Sequence, residues 1–121
     1  MKSHWIVYNG KRIWYSDCTN CGLDSHAVKT EMDYAFNMIS TEPKNSVLSL
    51  TNVSDTRGTP EIFRIFKNAA SKFEPFVIKR AVVGITGSQK TFIELLNKMS
   101  GTKSFKLFDD LDQAKLWLSE N

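Results

Sequence analysis

At 121 residues the chain is long enough for one domain, and 41% hydrophobic with 24% charged residues is an ordinary globular composition. No apolar run nears the ~18 residues of a membrane span, and the start, Met1-Lys2-Ser3-His4-Trp5, lacks a signal-peptide apolar core; both point to a cytoplasmic protein. The net charge of +3 is uneven: residues 57–106 hold ten basic and three acidic side chains, a net of +7. Without an arginine-rich run or a nucleic-acid motif, that basic middle reads as solvated helix faces and argues against DNA or RNA as a partner.

Two β-rich runs, Trp5–Tyr8 and Lys11–Tyr15, flank Asn9-Gly10. Both turn residues tolerate positive φ, so the segment predicts a type I′ hairpin. From about Asp24 the period changes, and Val28, Met32, Ala35, Phe36 and Ile39 share one face of a helix that must stop before Pro43. Ser46–Val53 reads as a strand and 54–58 as a loop. Thr59-Pro60 then opens a second helix, with Thr59 at the N-cap and Pro60 at the first helical position. Its expected buried stripe is Ile62, Ile65, Phe66, Ala69 and Phe73. A strand over Phe76–Thr86, a helix over Ser88–Met99, a short strand over Phe105–Phe108 and a last helix capped by Asp109 complete the order β-β-α-β-α-β-α-β-α. The expected fold is a single α/β domain: a mixed sheet of about five strands, with an antiparallel hairpin first, then βα units, and four helices.

Three segments carry a family resemblance: Asn45–Thr51, Lys79–Gly87, and the ending from Phe108-Asp109 through Ala114-Lys115 to Trp117-Leu118. With these the chain resembles the SpoIIAA-like group of STAS-type domains over nearly its whole length. The resemblance implies a small mixed sheet with helices packed on it, and many members of the group have no assigned activity. Better-understood STAS domains are regulatory binding modules, switched by phosphorylation of a serine where a central strand meets the next helix. The corresponding turn here is 54–60. It lacks the Asp-Ser-Ser-Gly form of those switches and offers Ser54, Thr56 and Thr59 as hydroxyls, with Arg57 beside them.

Gly84-Ile85-Thr86-Gly87-Ser88-Gln89-Lys90-Thr91 falls one residue short of a P-loop, because Gln89 stands where the motif needs a second glycine. Only about 30 residues with one short strand follow it, which argues against nucleotide hydrolysis. The residues Gly87, Ser88, Gln89 and Lys90 remain a candidate anion site at the start of a helix. Cys18-x-x-Cys21 with His26 is three-quarters of a zinc knuckle, but the fourth position is Glu31, so no metal is expected. Asp109, Asp110 and Asp112 fit helix capping. Phe63 lies beside the core stripe of the second helix, where it would suit a protein partner, a homodimer contact or an apolar-ligand groove.

The expectation is a non-enzymatic, cofactor-free regulatory or binding module that acts through a protein partner or a small anionic ligand. The rival is a carrier of an apolar ligand, such as a fatty acid or lipid, in a pocket beneath the aromatic second helix.

Overall fold

The structure, a computed structural model, describes residues 1–85, 94 and 105–120. The turn at Asn9-Gly10 has φ of +50° and +78°, the paired positive values a type I′ hairpin needs. It joins β1 (His4–Tyr8) to β2 (Lys11–Asp17) in an antiparallel ribbon with Trp5 opposite Trp14, their rings edge to face at 5.1 Å. Helix α1 (Ser25–Ile39) starts where the Asp24 carboxylate accepts the Ala27 N–H at 3.1 Å. It buries Val28, Met32, Ala35 and Ile39 of the expected stripe, while Phe36 is half-buried at its edge.

β3 (Val47–Asn52) leads to α2 (Pro60–Phe73), whose N-cap Thr59 accepts the Ile62 N–H at 3.2 Å. β4 (Val77–Val83) follows and ends three residues earlier than expected, because Gly84 turns the chain with a φ of +90°. β5 (Phe105–Phe108) precedes α3 (Leu111–Ser119). The α3 cap is Asp110 rather than Asp109: its carboxylate accepts the Asp112 N–H at 2.7 Å, which puts it at the extended residue just before the helix. Three helices stand among the described residues; the expected fourth, over 88–99, lies outside them except for residue 94, which is helical.

The strands run β1-β2-β3-β4-β5 across one sheet, antiparallel at β1–β2 and parallel from β2 to β5. Successive parallel strands step the same way, so right-handed crossovers carry α1 and α2 to the same face. There Trp14, Val28, Met32, Ala35, Ile62, Ala69 and Phe73 form one core. α3 covers the opposite face over a second core of Ile13, Leu48, Leu50, Ala81, Val83, Ala114 and Leu118. Burying each of the larger aliphatic side chains contributes about 1.5–3 kcal/mol. No described helix is long and apolar enough to cross a membrane.

Candidate functional site

Side chains alternate across a sheet, so each strand supplies both cores. In β3, Leu48 and Leu50 point to α3, whereas Val47, Ser49 and Thr51 point to α1 and α2. In β4, Ala81 and Val83 face α3 while Arg80 and Val82 face α2. The register sets Ser49 opposite Arg80, and Arg80 opposite Phe105. A polar row therefore crosses the middle of the sheet, beneath the most aromatic helix of the chain.

Between that row and α2 lies a partly open cavity of about 70 Å³, several times the ~10–15 Å³ one water molecule needs. Phe63, Phe66 and Phe73 wall it from α2, Val82 and Ile85 from β4 and its end, and Phe105 from β5. Phe63, expected beside the core stripe, is half-buried and forms part of this wall. Thr56, Arg57 and Gly58 border the cavity from the turn after β3.

Arg80 gives the cavity its chemistry. Its side chain is only 2% exposed. Nη2 donates to the Ala70 carbonyl at 3.0 Å and to Glu74 Oε2 at 2.6 Å, which ties β4 to the last turn of α2. Nε and Nη1, equally buried, have no partner among the described residues. The guanidinium carbon lies 5.0 Å from the centre of the Phe105 ring. Burial lowers the Arg80 pKa from its ordinary value, and the Glu74 carboxylate acts in the opposite direction. A guanidinium stays charged under such pressure, so the site keeps its positive group. Each buried donor left without an acceptor costs about 1–3 kcal/mol.

No protein-family model matches the chain, and neither a curated protein nor a solved structure does. The site is therefore read from its own geometry.

The hydroxyls singled out from the sequence are engaged in building the rim. The loop after β2 extends the β2–β3 pairing: Asn20 N–H donates to the Ser54 carbonyl at 2.8 Å and Gly22 N–H to the Asp55 carbonyl at 3.0 Å. Arg57 N–H returns a bond to Gly22 at 2.8 Å. Thr56 is buried there, its hydroxyl donating to the Cys18 carbonyl and accepting the Cys21 N–H at 3.1 Å. Ser54 donates its hydroxyl to Asn52 Oδ1 at 2.7 Å, and Thr59 caps α2. The Arg57 side chain is exposed at the cavity edge. The anion candidates Gly87, Ser88, Gln89 and Lys90 lie outside the described residues.

The CxxC segment does not assemble a metal centre. Cys18 sits in the core, where burial pushes its thiol pKa well up; Cys21 is half-buried and His26 exposed. Glu31 is occupied by the amino-terminal segment, accepting from Lys2 N–H at 3.2 Å, Ser3 N–H at 3.1 Å and the Ser3 hydroxyl at 2.7 Å. Among the described residues no group of three His, Cys, Asp or Glu side chains is placed to hold a metal ion.

Sequence reasoning missed Arg80 as a candidate site residue. Two signals pointed to it: a charged residue inside the apolar strand 77–83, and Ser49 and Thr51 on the strand phase that should be aliphatic.

Proposed function

We propose that the chain is a non-enzymatic, cytoplasmic binding module of STAS type that holds a small molecule with an apolar body in the cavity under α2. The observation that carries this reading is the cavity: apolar walls closing on a buried arginine with unpartnered donors. Protein interiors normally pack such space away, and a concave apolar pocket with a few convergent polar groups is the usual form of a ligand site. The lining among the described residues carries hydroxyls and arginines, without a histidine, cysteine or carboxylate for general acid–base work. That composition suits holding a molecule rather than transforming it.

The STAS assignment rests on the three segments that carry the resemblance, and a mixed sheet with helices on it is the architecture they imply. A regulatory role follows from position. The turn at 56–58 both borders the cavity and forms part of the strand-end rim, where a protein partner would sense an altered ligand state.

Native mass spectrometry of freshly purified protein and a thermal-shift screen of small neutral apolar molecules test the reading. The expected result is a bound small molecule or a saturable stabilisation that the cavity-filling variant Ala69→Leu removes. A clean apo mass together with no stabilisation by any such molecule overturns it.

A further inference from the structure

Resting on the reading of the cavity as a ligand site, we propose that its ligand is a small monocarboxylic acid, the carboxylate held by Arg80 Nε and Nη1. The two nitrogens present three N–H groups, and a guanidinium can only donate. They are buried beside the cavity and lack acceptors among the described residues. The ligand end that meets them must therefore be rich in acceptors. A carboxylate is the compact group that supplies several lone pairs and makes these bonds charge-assisted.

Charge selects the number of carboxylates. Among the described residues, the ionised side chains that line the cavity are Arg57 and Arg80, and Glu74, bound to Arg80, offsets one of them. The balance of +1 among these described residues matches a monoanion. A phosphate dianion would bring an excess negative charge into a low-dielectric site, at a large desolvation cost. The far walls, Phe63, Phe66 and Val82, offer no partner to a second ionised group. The remaining body is apolar, packed against the aromatic side chains of α2 and Phe105.

Isothermal titration of the full chain with matched pairs tests the assignment: phenylacetate against 2-phenylethanol, hexanoate against 1-hexanol, with inorganic phosphate and palmitate as further arms. The acid is expected to bind about tenfold or more tighter than its alcohol, the size of one bond to a buried charge, with no phosphate binding. The Arg80 Nε–H resonance should move on titration with acid. Arg80→Met should erase the preference for acid and leave alcohol binding in place, while its circular dichroism and unfolding midpoint report that it is folded. Hexanoate outranking palmitate assigns a free small acid; the reverse order keeps the carboxylate and assigns an acyl chain. Alcohol and acid binding equally, or an unmoved Nε–H resonance, overturns the carboxylate and leaves the ligand site standing. Failure of both acids and alcohols to bind overturns the ligand site itself.

Discussion

The two faces of this sheet are built from the same strands and differ in what they bury. Under α3, Leu48, Leu50, Ala81 and Val83 meet Ala114 and Leu118 in an apolar layer, with the polar Asn52–Tyr15 and Lys79 contacts at its ends. Under α2, the neighbouring positions of the same strands are Ser49, Thr51, Arg80 and Val82, with a cavity above them. Even the buried Trp14 carries its polar partner on that side, its indole N–H donating to the Ser16 hydroxyl at 2.8 Å. One face is closed mainly by apolar side chains; the other keeps polar groups and space inside a core.

Four measurements would break or sharpen this contrast. Leu50→Ala on the closed face should have the largest effect, about 2–5 kcal/mol by urea unfolding, because it leaves a hole in a packed layer. A loss below about 1 kcal/mol would mean that this face is not the tightly packed one. Gly84→Ala at the strand-end rim comes next, at about 2–3 kcal/mol. Its Cβ would meet Ser54 N at 2.4 Å and Ser54 Oγ at 2.5 Å, at a φ of +90°. An unchanged unfolding midpoint would show that the rim yields easily.

Arg80→Met on the open face should stay within about 1 kcal/mol of the natural chain. It removes the bonds to Ala70 and Glu74 but also two orphaned donors, and Glu74, 26% exposed, can rehydrate. A loss equal to that of Leu50→Ala would make Arg80 a structural anchor and dissolve the contrast. The smallest effect concerns the thiols. At pH 8 one of the two cysteines, Cys21, should react quickly with a disulfide reagent, and Cys18 only on unfolding, because burial raises the Cys18 pKa and keeps it protonated. The same raised pKa predicts stability that is complete below the ordinary thiol pKa and declines as pH rises above it, where the unfolded thiol ionises first. Rapid labelling of both thiols in the folded protein would place Cys18 outside the closed core.

The parts of the fold that were readable from residues alone are those governed by local chemistry. Asn9-Gly10 tolerates positive φ, Thr59-Pro60 supplies a cap and a preset φ, and the stripes of α1 and α2 follow the helical period. The cap of α3 slipped by one residue because three nearby aspartates, Asp109, Asp110 and Asp112, compete for that role and only backbone geometry chooses between them. The site was half legible. Phe63 was a visible clue, and a pocket beneath the aromatic helix was the rival expectation. The hydroxyls of the 54–59 turn drew attention as chemical groups, yet Thr56 and Ser54 spend theirs on bonds to Cys18 and Asn52. A hydroxyl that builds a turn and one that waits for a phosphate look the same in one dimension.

By itself, then, the sequence determined the described elements, their order and the parallel pairing, since propensity, turn residues and periodicity act over a few neighbouring positions. Only the tertiary structure decided that Arg80 is buried along a cavity wall, that one of its nitrogens is satisfied by Ala70 and Glu74, and that the other two are left without an acceptor among the described residues. An arginine in a strand is ordinary until a helix packs over it. Whether its charge is solvated, paired or left for a ligand depends on groups brought in by α2 and β5, and no local pattern encodes that meeting.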